Sequence, residues 1–151
     1  MNMRYQSTMF QLNHTLNSDC TTIGEFKLSL LLLMNDANYP WFIMVPQRAE
    51  LSEIYQLNES EQQQLTRESS QLASALSNTF NADKINIAAL GNVVRQLHIH
   101  HIVRYHDDPA WPAPVWGAHP ATPYCEDKKA NIIKQLVDAL GNDFTPSYTH
   151  G

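Results

Sequence analysis

The stretch RQLHIHHIVRYHDDPAWP, residues 95–112, holds four of the chain's seven histidines within nine positions. On a strand, residues two apart share a face and lie about 6.6 Å from each other. Gln96, His98, His100 and Ile102 therefore fall on one face. Leu97, Ile99, His101 and Val103 fall on the other. The first face carries two imidazoles beside an amide. The second carries one histidine, His101, among apolar residues.

A neutral imidazole is a competent nucleophile near neutral pH. Attack on a phosphoryl centre gives a phosphoramidate, which water can cleave. A second imidazole one pleat away can serve the same phosphoryl oxygens or the departing group. Two other readings stay open. H-x-H on a strand can offer two rings to a metal ion, which would need a third donor such as His106, Asp107 or Asp108. Alternatively, the pair is structural, and each buried ring then needs hydrogen-bond partners. His101 is expected on the core face with a local partner, since only a bulge would turn it towards the other pair.

The elements that position these residues follow from pattern. TTIGEFKLSLLLLMND reads as a strand, a tight connection at Gly24-Glu25 and a longer buried strand. NDANYP is a loop and WFIMV, 41–45, a further short strand. Asn58 is an N-cap with Glu61 three residues on, opening a helix to about Phe80. Its Leu65, Leu72, Leu76 and Phe80 share one face, with Gln, Glu and Arg opposite. INIAAL, 85–90, and QLHIHHIVRY, 96–105, read as strands. The segment HDDPAWPAPVWGAHPATP, with five prolines and two tryptophans, reads as a packed loop. KKANIIKQLVDAL makes a terminal helix, apolar at Ile132, Ile133, Leu136, Val137 and Leu140. Residues 1 to about 20 are weakly patterned. The order gives an α+β fold: an antiparallel sheet of about five strands, a long helix across it and a C-terminal helix, in one domain over 1–151.

Composition narrows the function classes. The formal net charge of -5 argues against a nucleic-acid phosphate track, which needs a basic stripe. The longest apolar run, LSLLLLM at 28–34, has the length of a buried strand and not of a membrane span. The N-terminus lacks the apolar core of a signal peptide. Cys20 and Cys125 have no zinc or CxxC spacing and read as reduced thiols in a cytoplasmic protein.

QLHIHHIVR resembles the histidine triad motif H-φ-H-φ-H-φ-φ of the HIT superfamily of nucleotide hydrolases and transferases. Gln96 stands in the first histidine's place, His98 in the second and His100 in the third. NIAALGNVVRQLHIH resembles the family's approach to the triad, N-x-G-x-x-x-G-Q-[ST]-V-x-H-x-H-x-H. Gly91 and Val94 match it, Asn92 replaces Gln, and Val93 replaces Ser or Thr. LLLMNDANYPWFIMVPQR resembles the family's strand–loop–strand ending in V-I-P-K/R. The likeness spans roughly residues 22–105. The DDPAWPAPVWG run resembles a bacterial branch related to diadenosine polyphosphate hydrolases.

The resemblance implies a nucleotide phosphoanhydride or phosphoramidate hydrolase working through a covalent nucleotidyl-histidine. His98 would be the nucleophile. His100 would contact phosphate and help the leaving group, with Gln96 a hydrogen-bonding prop that keeps an amide's bonds but cannot titrate. Asn92 would contact phosphate oxygens, and Asn35 the ribose hydroxyls, with Asp36 as the alternative. Val93 cannot give the hydroxyl hydrogen bond that Ser or Thr gives in relatives. The implied partners are a small-molecule nucleotide and a second copy of the chain, as a homodimer, with no nucleic acid and no membrane. No cofactor is required, and Mg²⁺ is compatible with a polyphosphate substrate. The rival readings are a nucleotide-binding relative with reduced or no catalysis, favoured by Gln96 and Val93, and a metal-binding H-x-H protein.

Overall fold

Strands β2 (Ser29–Met34) and β3 (Trp41–Pro46) are apolar on both faces, so the sheet they build must be covered on both sides. The computed structural model describes residues 9–147. In chain order it contains α1 (His14–Asp19), β1 (Cys20–Glu25), β2, β3, α2 (Glu59–Phe80), β4 (Lys84–Ala88), β5 (Ile99–Arg104), α3 (Glu126–Ala139) and β6 (Thr145–Pro146). The six strands form one antiparallel sheet in the order β4-β5-β3-β2-β1-β6. The sheet has one strand more than expected, the two-residue β6.

One face carries Leu31, Leu33, Phe42, Met44, Ile99 and Val103 against Leu65, Leu72 and Leu76 of α2 and Ile133 and Leu136 of α3. Each such fully buried side chain contributes roughly 1.5–3 kcal/mol. The other face carries Leu32, Trp41, Ile43, Val45 and Ile102, covered by Leu16 of α1 and by Ala110 and Val115 of the proline-rich loop. Helices thus cover one face, and a short N-terminal segment and a loop cover the other.

Three expectations change in detail. Gly24 lies inside β1, where the register shifts, and the turn falls at 26–28. A Cβ at position 24 would stand 2.6 Å from the Phe144 ring, so glycine is what lets β6 close on β1. Glu68 is buried, on the leucine face of α2 between Leu65 and Leu72 and not opposite it with the other Gln, Glu and Arg positions. Its carboxylate accepts from Leu28 N at 2.9 Å and Ser29 N at 3.0 Å, tying α2 to the β1–β2 turn. The histidine strand begins at Ile99, because Leu97 N donates to Leu51 O and has left the β3 ladder. The cap of α2 is as the sequence indicates, with Asn58 Oδ1 accepting from Glu61 N at 2.9 Å. The Glu61 side chain, however, turns to Arg48 at 3.0 Å.

Candidate active site

Pleating decides which rings meet. His100 lies opposite Ile43 of β3, which makes Trp41, two residues back on the same face, its diagonal neighbour. The Trp41 indole N–H donates to His100 Nδ1 at 3.0 Å. With its lone pair used there, the neutral ring carries its proton on Nε2 and donates to Leu90 O at 3.1 Å. Burial pushes His100 down to about 4, against the opposing pull of the Leu90 carbonyl. Near neutral pH His100 is therefore an uncharged ring with both nitrogens engaged.

His98 stands beside it, ring centroids 4.9 Å apart and nearly edge to face. Its Nδ1–H donates to the backbone carbonyl of Gln96 at 2.7 Å. That bond fixes the tautomer and leaves the lone pair on Nε2. Gly91 backs the ring: a Cβ there would lie 3.4 Å from His98 Cε1 and 2.6 Å from the Val94 carbonyl oxygen.

Two cavities flank His98. One, of about 370 Å³, is mainly apolar and is walled by Leu16, Cys20, Met34, Ile43, Val94 and Trp116, with Asp19 and Thr15 at its edge. Burial beside the Asp19 carboxylate pushes the Cys20 thiol up to about 12, so it is an inert wall group. The other, of about 330 Å³, is polar, with Ser52, Glu53, Arg95 and Asn92 on its walls. His98 and Asn92 border both. Arg95 is the one Lys or Arg among the residues lining either cavity.

The roof over His100 is Trp116, whose ring lies 5.1 Å from His100 and 6.0 Å from Trp41. Arg104 at the end of β5 sets the loop that carries it. The buried guanidinium pairs with Asp108 at 2.8 and 3.1 Å and donates to Asn86 Oδ1 at 2.7 Å and Ala113 O at 2.8 Å. Asp108 in turn accepts from the backbone of Tyr105, Ala110 and Trp111. Burial by itself would raise the Asp108 carboxyl, but the Arg104 guanidinium and the three backbone N–H donors together hold it below the usual range.

Of the residues singled out from sequence, His98, His100 and Asn92 come together. The Gln96 side chain does not point at the imidazoles. Its carboxamide accepts from Asn13 N and donates to Gln11 O, each at 2.8 Å, so Gln96 meets His98 through its backbone. Asn35 is not brought to the site. It lines neither cavity, and its Oδ1 accepts from Tyr124 N at 2.9 Å, a contact that holds the approach to α3. Asp36 is likewise structural, accepting from Asn38 N and Thr122 N. His101 lies on the helix-covered face. Its Nδ1–H donates to Ile99 O at 3.1 Å and its Nε2 accepts from Ser69 Oγ of α2 at 2.7 Å. Among the described residues, no group of three or more His, Cys, Asp or Glu is placed to hold a metal ion. Trp41, Trp116, Asp19 and Arg95 belong to the site without having been legible as such. Only the density of aromatic residues in the loop hinted at Trp116.

Residues 15–107 match the family model described as the HIT domain. Three solved structures resemble the chain over nearly their whole length. A histidine triad protein from Marinobacter aquaeolei VT8 is 49 % identical with a TM-score of 0.85, covering 87 % of this chain and 96 % of its own. One from Sinorhizobium meliloti 1021 is 43 % identical with a TM-score of 0.85, covering 87 % and 97 %. One from Bradyrhizobium japonicum is 41 % identical with a TM-score of 0.87, covering 88 % and 99 %. No curated protein matches the chain.

Proposed function

Because the chain belongs to the HIT domain family, we propose that it hydrolyses a nucleotide phosphoanhydride or phosphoramidate with His98 as the nucleophile. The observation that carries this reading is the fixed tautomer of His98. Its proton is held on the Gln96 carbonyl, and its Nε2 lone pair is left for a phosphorus atom at the junction of two cavities. Attack forms the Nε2–P bond and breaks the bond from phosphorus to the leaving group, which takes the electron pair and then a proton from solvent water. Positive charge building on the ring is met by the Gln96 carbonyl oxygen. Water then cleaves the N–P bond, releasing the nucleoside monophosphate and restoring the imidazole. The apolar cavity suits the base, and Asn92 and Arg95 offer donors to phosphate oxygens. His100 supports the site as a neutral ring packed against the nucleophile, its Nε2–H held by the Leu90 carbonyl.

A binding role without turnover is the second reading, favoured by Val93, which is 93 % exposed at the cavity edge where a hydroxyl would otherwise serve. The two are separated by rapid quench with the para-nitrophenyl ester of adenosine monophosphate. A nucleotidyl adduct on His98 and release of nitrophenol are expected. His98→Ala should lose on the order of 10⁴-fold in turnover. No adduct and no release, with the ester still bound, would establish the binding role instead.

A further inference from the structure

We propose that Gln96 is a positioning residue that joins the nucleophile to the wall of the apolar cavity. The inference rests on the hydrolase reading above. The backbone carbonyl of Gln96 orients His98, and its side chain holds the segment before α1. Gln11 O and Asn13 N lie two residues apart, as the paired groups of a strand edge do, and a single carboxamide satisfies both. Asn13 is also the N-cap of α1, its side chain accepting from Thr15 N at 2.8 Å. The residue that starts the helix is thus the residue that Gln96 pins.

Helix α1 has six residues, too few to persist without tertiary contacts. It nevertheless supplies Thr15, Leu16 and Asp19 to the cavity wall, and Phe10 and Leu12 of the pinned segment pack into the same apolar cluster. An imidazole could not replace the amide here. Its two nitrogens point away from each other, whereas the carboxamide O and N diverge from one carbon towards neighbouring backbone groups. Glutamine in the place of a histidine therefore exchanges a titratable ring for a clamp.

The test is Gln96→Ala and Gln96→Glu, both of which keep the carbonyl that His98 uses. Glutamate can still accept from Asn13 N but cannot donate to Gln11 O. In Gln96→Ala, amide exchange at Asn13 and through α1 should quicken about tenfold, with β5 unchanged. The Michaelis constant for the para-nitrophenyl ester should rise about tenfold while kcat stays within about threefold. Gln96→Glu should fall between. Unchanged exchange would overturn the clamp. Faster exchange with an unchanged Michaelis constant would overturn the positioning role. A fall in kcat alone would place Gln96 in the chemistry and also overturn it. Failure of the wild-type protein to turn over the ester would count against the hydrolase reading, and exchange at Asn13 would still decide the clamp.

Discussion

Trp41 and His100 are joined by a single hydrogen bond of 3.0 Å, from the indole nitrogen to Nδ1, and that bond acts with the one from Nε2 to the Leu90 carbonyl to fix which nitrogen of His100 carries the proton. Indole nitrogen only donates, so Nδ1 must be the acceptor and Nε2 the donor. A tryptophan on β3 thereby helps to select the form in which His100 stands beside His98.

Trp41→Phe should keep the packing and release that selection. Leu90 O would then be the one partner left holding the proton on Nε2, so the other tautomer should gain population and kcat should fall on the order of tenfold, the worth of one orienting hydrogen bond in a buried site. Nitrogen-15 shifts of His100 should move towards a mixture while those of His98 stay put. An unchanged tautomer would show that Leu90 alone suffices to set it.

Acid should destabilise the fold through two rings. Burial holds both His100 and His101 down to about 4, from an ordinary value of 6.5. Between those values the unfolded chain binds more protons. The stability they confer is therefore full above about pH 6.5 and is lost as pH falls towards 4. The loss should be on the order of a few kcal/mol. His101→Val should flatten part of this slope and leave turnover nearly intact, because His101 faces Ser69 and not the cavities. Urea titrations at a series of pH values measure the slope. An unaltered slope in the variant would remove His101 from the account.

Gly91→Ala should cost both catalysis and stability. The added methyl would clash with the Val94 backbone carbonyl at 2.6 Å and would stand in ordinary contact with the His98 ring at 3.4 Å. Relaxation of the 91–94 turn would move both Asn92 and His98. A drop in kcat of at least about tenfold is expected, since small misplacements at a reacting centre are expensive, together with a lower melting temperature from the backbone clash.

Glu68→Ala should cost stability alone. It strands the amide groups of Leu28 and Ser29, at roughly 1–3 kcal/mol each, far from the imidazoles. Denaturation should show the loss. Activity per folded molecule should be retained.

The sequence was most readable where one local rule acted alone. Asn58 capped α2, the leucines of α2 kept helical spacing, and alternation put His98 and His100 on one side with His101 on the other. It was least readable where a residue is defined by a distant partner. Helix α1 has a single buried residue, Leu16, so periodicity could not reveal it. Glu68 shares the leucine face by spacing, but the amides that donate to its carboxylate there, Leu28 and Ser29, lie some forty positions away. Asn35, at a strand end, fitted a ribose ligand by position, and only the tertiary fold brings Tyr124 to its side chain. Gln96 was legible as a departure from three alternating histidines, but the Asn13 and Gln11 groups it serves lie more than eighty positions earlier.

The Arg104 hub makes the histidine strand and the tryptophan loop one transplantable cassette. A guanidinium that spends its bonds on Asp108, Asn86 and Ala113 cannot be left behind when the loop is exchanged, for it would remain as a buried cation with no counter-ion. Nor can the loop be grafted elsewhere without it, since Asp108 organises the turn only while it is paired. Loop shuffling intended to alter substrate preference at this site must therefore cut before Asn86 or keep residues 104–113 intact. Beyond residue 113, Trp116 is the loop position where variation would reach the apolar cavity.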